Sequence, residues 1–484
     1  MRAPGKRLPV RYSSTITAMP AKLTVLRSLG LGATSSIIIC NMVGQGVFLK
    51  ARVMTCNVGS PVLMTTAWVV AGLLALCGAL TFAELGAAIP ESGGIYAFLR
   101  RAYGKPIGFA FGWMLLFVAS PASTAALAAG AAIFFNLASG HALDRFTGSA
   151  NLFGITFTLS GMQSAAIALL VAVTAINCAP ALVNGRIATV FAVLKIAMLA
   201  AVTLAAFGLG HGALANFAAS GAGGACTGVA PTTRFGLPGF AAALIGALYA
   251  YNGWHSVTLV AGEVKNPGRA FPAALGASVA LVIGCYVAAN VAFVYVLGPL
   301  AIASLPPGSS VGITVVETLF GPIWRTIAAA FLFASVAATL HVTILTNARV
   351  TYALAKDGLG FGILARLSAR ARVPVNAVLA NCALAAVLVV IGSFDTLSDY
   401  LIFNIWVFFV ATAGAVFVLR RREPALPRPY RTIGYPVVPA IFMAVAGWLL
   451  VQTLLSNPRN SFIGLAVVAL SFPYYFWQRR RQRA

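Results

Sequence analysis

The chain has 484 residues, 60% apolar and only 9% charged. A soluble protein carries roughly a quarter charged residues, so a water-soluble fold is excluded and a polytopic membrane protein is expected. The net charge of +24 would suit nucleic acid, but Lys and Arg cluster at the ends of apolar runs, with no basic face interleaved with aromatics, which argues against that partner.

In chain order, a basic tail over 1–27 has no apolar run of its own, so the first span is expected to serve as an uncleaved signal. Apolar runs then predict 12 helices, over 28–50, 61–89, 107–138, 162–181, 187–209, 237–262, 272–298, 323–350, 374–393, 397–420, 434–455 and 460–478. Each has room for the ~20 residues a crossing needs. Linkers such as Pro90-Glu91-Ser92-Gly93-Gly94, Asn266-Pro267-Gly268 and Leu305-Pro306-Pro307-Gly308 carry turn chemistry. With both termini cytoplasmic, about 26 of the Lys and Arg residues fall inside and about 6, including Lys50 and Arg52, fall outside. Cys40, Cys56, Cys77, Cys178, Cys226, Cys285 and Cys382 are scattered without C-x-x-C spacing, so neither a disulfide framework nor a metal site is expected.

Two predicted helices are interrupted near mid-membrane, at Met42-Val43-Gly44-Gln45-Gly46-Val47-Phe48 and at Tyr249-Ala250-Tyr251-Asn252-Gly253-Trp254-His255. Each break comes about 14 residues, or roughly 20 Å, into its span. Irregular backbone at that depth must be buried in protein or line a cavity. Because the broken helices are the first and sixth, the fold class read from the sequence is an all-α integral membrane protein with a five-plus-five inverted repeat. Repeat 1 covers 28–209 and repeat 2 covers 237–420; helices 11–12 (434–478) and a basic tail (479–484) follow.

The glycines around Gln45 let the backbone leave helical geometry, so the next half-helix can aim free N–H groups at a carboxylate. Half-helices ending near Val43 and Ala250 leave carbonyls suited to an ammonium group or cation. Donors for an anion beside acceptors for a cation fit a zwitterion. The alternative for Gly44-Gln45-Gly46 is close helix packing. Lys195 lies about 13 Å into the fifth helix, where an ammonium can fill a cation position or a lysine can snorkel to the interface. His255 and His341 are candidates for proton sensitivity, with satisfied packing as the alternative. Glu84 and Glu263, the latter near Lys265 and Arg269, suggest structural ion pairs or a gate. No general acid–base pair, nucleophile motif, phosphate loop or metal-ligand spacing is present, so neither an enzyme nor a cofactor is expected.

Five stretches together are similar to the amino acid–polyamine–organocation superfamily, and within it to L-type amino acid transporters. They are VGQGVF at 43–48, GALTFAELGAAIPESGGIYAFL at 78–99, LYAYNGWHSVTLVAGEVKNPGRAFP at 248–272, ARVTYALAKDGL at 348–359 and LRRREPALPRPYRTIGYPVVP at 419–439. The resemblance implies alternating access. It places the substrate carboxylate on the amides of Gln45 and Gly46, and the amine on carbonyls of Met42, Val43, Tyr249, Ala250 and Asn252, with Gly44 and Gly253 in the same breaks. It makes Tyr249 an aromatic gate and Lys195 the lysine of sodium-independent members. By the same analogy Ser335 and Thr339 face the cation region and Ser120 the side-chain pocket. Gln45 departs from the family's usual small residue, and His255 and His341 stand where Asn is frequent.

The expected function is sodium-independent exchange or facilitated transport of a small zwitterionic amino acid or related amine across a lipid bilayer. The rivals are proton-coupled symport, sodium symport, and a nutrient sensor that binds without turnover. Short loops and tails suggest a bacterial inner (plasma) membrane.

Overall fold

The computed structural model describes residues 27, 29–152, 155–179, 181–368, 371–391, 394–456 and 458–481. Its first span is a pair of half-helices, α1 (Leu31–Met42) and α2 (Gly46–Val58), bent by 41° across the break. The pair reaches Val58, past the expected end at 50, and stops where Gly59 takes the left-handed conformation at φ 63°. Lys50 and Arg52, counted among the charges on the outer side, therefore lie within α2 and are buried. Arg52 donates from Nη2 to the Thr227 carbonyl at 2.8 Å, so an internal acceptor helps this cation to sit buried in the helix.

α3 (Pro61–Ala88) is followed by the short α4 (Ile95–Tyr103). The third span runs through α5 (Lys105–Met114), a π-helical turn at Leu115–Ala119 and α6 (Ser120–Ala138). Pro121 supplies no N–H to the preceding turn, which accounts for the wider turn there. A hairpin, β1 (Thr147–Leu152) and β2 (Ile155–Ser160), paired from Thr147↔Ser160 to Leu152↔Ile155, had no counterpart among the expected elements. α7 (Gly161–Asn177) and α8 (Ala181–Gly208) lead to the second broken helix, α9 (Gly236–Tyr251) and α10 (Ser256–Leu259).

Beyond it come α11 (Pro267–Leu297), α12 (Pro299–Ser304), α13 (Val311–Phe320), α14 (Pro322–Lys356), α15 (Val375–Ile391), α16 (Phe394–Arg422), α17 (Val437–Ser456) and α18 (Pro458–Arg481). Among the described residues eight helices are long and apolar enough to cross a membrane, nine with the bent α1–α2 pair. α7, α9, α13 and α15 are shorter apolar helices.

α3 packs on α11, α6 on α14 and α2 on α9. Behind the breaks lies an aromatic wall: Trp68 meets Tyr286 edge-on with centroids 5.5 Å apart, and Tyr251 lies 5.0 Å from Tyr286. Cys56, at the end of α2, is disulfide-bonded to Cys226 in the segment between α8 and α9. This corrects the expectation of unpaired cysteines; the partners are 170 positions apart, and no local spacing signals such a pair.

Glu84 and Glu263 are both ion-paired, with partners that sequence proximity did not give. Glu84 accepts from Arg420 at 2.7 and 2.9 Å and from the amide and hydroxyl of Thr432. Glu263 pairs with Arg349 of α14 at 3.1 Å, not with the nearby Lys265 or Arg269.

Candidate functional site

The two breaks lie against each other in antiparallel fashion. A Cβ on Gly46 would sit 2.6 Å from Ala250 Cα, and one on Gly253 2.9 Å from the carbonyl of Asn41. Gly253 also has φ +118°, which side-chain-bearing residues rarely adopt. Each glycine thus admits the end of the other broken helix. This close approach is the packing named as the alternative for Gly44-Gln45-Gly46, and it also brings the two breaks side by side.

A small cavity opens at this junction, lined by Asn41, Met42, Gly44, Gln45, Gly46, Ser123, Leu127, Tyr249, Ala250, Asn252, Thr339 and Thr343. Gln45 is the N-cap of α2. The amides of Gln45, Gly46 and Val47 have no acceptor among the described residues, whereas the Gln45 carbonyl accepts from Phe48 and Leu49. Three orphan donors at a helix N-terminus make an anion seat.

The carbonyl side is more crowded than the sequence suggested. Tyr286 of α11 places its hydroxyl 2.8 Å from the Met42 carbonyl and 3.2 Å from that of Ala250. The Met42 carbonyl also accepts from the Gly44 amide, and the Tyr249 carbonyl from the Asn252 amide. Of the five carbonyls expected to face an amine, Val43 and Asn252 accept no such bond among the described residues.

Lys195, fully buried, donates to the Cys40 carbonyl at 2.8 Å and to Thr339 Oγ1 at 2.5 Å. Thr339 also donates within α14, toward the Ser335 carbonyl at 3.2 Å. The ammonium therefore ties α8 to α1 and α14, just before the first break. Ser335 contributes its carbonyl and lines no described cavity. Ser120 does not reach the cavity either; Ser123, nearly one turn further along α6, does.

A second small cavity shares Asn41, Ser123, Asn252 and Thr343 with the first and adds Leu115, Ala119, Gly253, His255, Ser256, Asn347 and Ile405. His255 is buried against Phe409, with centroids 4.7 Å apart, and its Nδ1 has no partner among the described residues. His341 lines neither cavity; its Nδ1 lies 3.0 Å from Asn177 Nδ2.

Sequence reasoning missed Asn41, Ser123, Tyr286 and Thr343. Asn41 donates to Ser256 Oγ at 2.6 Å and accepts from Thr343 Oγ1 at 2.8 Å, joining α1, α10 and α14. Its position directly before the first break was the available signal.

The family model described as amino acid permease matches residues 29–473. The chain belongs to the amino acid permease family. Among similar proteins, the permease is 28% identical over 458 residues to the serine/threonine exchanger SteT of Bacillus subtilis, covering 94% of this chain and 98% of that one. It is 28% identical to the human large neutral amino acids transporter small subunit 2, over 94% and 81% of the two chains. With the human b(0,+)-type amino acid transporter 1 the identity is 24%, over 94% and 89%.

Proposed function

We propose that the permease is a secondary transporter that exchanges small zwitterionic amino acids by alternating access, without sodium. The observation that carries this is the meeting, in one cavity, of the unpaired amides of Gln45 and Gly46 at the start of α2 with the carbonyl ends of α1 and α9. The amides of Gln45 and Gly46 would seat the carboxylate; the Asn252 carbonyl would take most of the amine contact, since Val43 lines neither cavity. The relatives named as exchangers and amino acid transporters support this substrate class. Lys195 occupies with its own ammonium the place between α1, α8 and α14, and a sodium ion there would meet a like charge.

The same reading takes the chain through the membrane 12 times, in two inverted halves of five helices, with both termini in the cytoplasm of a bacterial cell. The antiparallel fit of the two breaks supports the inverted repeat. The Cys56–Cys226 bridge supports the orientation, since both cysteines then lie on the oxidising side.

The test is uptake of a labelled amino acid panel into proteoliposomes, empty or preloaded. Uptake confined to loaded vesicles is expected. Equal uptake into empty vesicles would exclude obligatory exchange, and a response to an imposed sodium gradient would overturn sodium independence. A second reading, proton coupling, is favoured by one observation: the unpartnered His255 nitrogen in the second cavity. Uptake driven by an imposed pH gradient, and lost in His255→Asn, would establish it.

A further inference from the structure

The Gln45 side chain does not obstruct the cavity. It crosses to α6, where Nε2 donates to the Ala126 carbonyl at 3.0 Å. Its Oε1 occupies the space a side chain at position 130 would need: a Cβ on Gly130 would lie 1.6 Å from Oε1 and 2.4 Å from Cδ. Ala126 and Gly130 are one turn apart and share a helix face, so α6 presents a carbonyl beside a notch that admits this carboxamide, whose Oε1 accepts no hydrogen bond among the described residues.

The second Nε2 proton goes to the Tyr249 hydroxyl, also at 3.0 Å. That hydroxyl, accepting from Gln45, keeps its own proton for another acceptor. Lys50, further along α2, sets its ammonium 5.3 Å from the Tyr249 ring centroid, within the range of a cation–π contact. Two residues of one half-helix therefore grip the same tyrosine.

We propose that Gln45, seated in the Gly130 notch, is the positioning residue that holds Tyr249 at the substrate cavity, so that this tyrosine moves with α2 rather than by swinging alone. The assignment rests on the transport reading above. Its consequence is tight exchange: with Tyr249 clamped, the empty carrier returns slowly, and a substrate must be bound before α2 and the tyrosine rearrange together.

The experiment compares wild type, Gln45→Ser, Gly130→Ala and the double variant in empty and preloaded proteoliposomes, each checked for monodispersity and melting temperature. Gly130→Ala evicts the carboxamide from its notch, and exchange should fall about 100-fold, as expected when a binding-site group is displaced by about 1 Å or more. Gln45→Ser leaves no atom to clash, so adding it to Gly130→Ala should restore exchange to within about threefold of Gln45→Ser alone. Gln45→Ser alone frees Tyr249 and should raise the ratio of empty-vesicle to loaded-vesicle uptake by about fivefold, the equivalent of one neutral hydrogen bond. A fully active Gly130→Ala, or an unchanged uptake ratio in Gln45→Ser, would overturn the assignment. Should Gly130→Ala fail to fold, the Gln45→Ser ratio decides alone. A wild-type protein that moves no amino acid would overturn the transport reading instead, and this inference with it.

Discussion

Replacing Gly46 by alanine adds a single methyl group, and the structure says where it must go. Its carbon would lie 2.6 Å from Ala250 Cα and 2.7 Å from Ala250 Cβ. Carbon atoms in contact prefer roughly 3.5–4.0 Å, so α2 has to retreat from α9 by about 1 Å. The obstacle is backbone and cannot rotate aside. Overpacking of this kind costs about 1–3 kcal/mol. The retreat also carries away the amides of Gln45, Gly46 and Val47, and a misplacement of ~1 Å in a positioned site costs about 100-fold in rate. Gly44→Ala is the control: its Cβ would meet Thr339 Cγ2 at 3.5 Å, an ordinary contact. It should change stability by less than about 0.5 kcal/mol. The assays are melting temperature in detergent and labelled uptake in proteoliposomes for both variants. Wild-type uptake by Gly46→Ala, or a larger melting-temperature loss in Gly44→Ala, would refute the argument that the close approach assembles the site.

Lys195→Met removes two charged hydrogen bonds, to Cys40 and Thr339, each worth about 1.5–3 kcal/mol; uptake should fall at least about tenfold, and its pH profile between 6 and 9 should change, whereas an unaltered profile would reduce Lys195 to packing. Glu84→Gln leaves Arg420 facing a neutral partner in a largely buried pair, so the melting temperature should drop by the equivalent of about 3–5 kcal/mol, and a drop no larger than that of a surface substitution would remove the pair from the stability argument. The hydrogen bond from Arg101 holds the Glu423 carboxyl below its ordinary range. Its small stabilisation is therefore complete above the unfolded carboxyl range, ~4.3, and is lost as pH falls through the lower folded value; Arg101→Gln should flatten this part of an acid-melting profile, and identical profiles would count against it. Thiol alkylation followed by mass spectrometry should label Cys56 and Cys226 only after reduction, and labelling without reductant would exclude the bridge.

The parts of the molecule that were legible in the sequence are those written by local chemistry. Glycines flanking Gln45 and at Gly253 announced the two breaks because only backbone freedom and small size allow helices to stop and meet there. Lys195 stood out because a charge amid apolar residues is costly and needs partners. The first span was read too short: Lys50 looked like a membrane boundary, while Gly59, whose left-handed conformation ends α2, was the better marker. What remained hidden depends on residues far apart in the chain. Asn41 gains its meaning from Ser256 and Thr343, Tyr286 from the two carbonyls it bridges, and Glu263 from Arg349, 86 positions away. The direction of Gln45 could not be read either, because the notch that receives it is the absence of a side chain at Gly130.

Just before α1, Leu29 forms a parallel bridge with Val264, its amide donating to the Glu263 carbonyl at 2.9 Å and its carbonyl accepting from the Lys265 amide at 2.8 Å. This short stitch yokes the entrance of the first broken helix to the exit of the second. Residues 29 and 264 can separate only by giving up both bonds, and otherwise they travel as one lever. Any displacement of α10 that keeps these two bonds therefore carries Leu29, at the foot of α1, along with it.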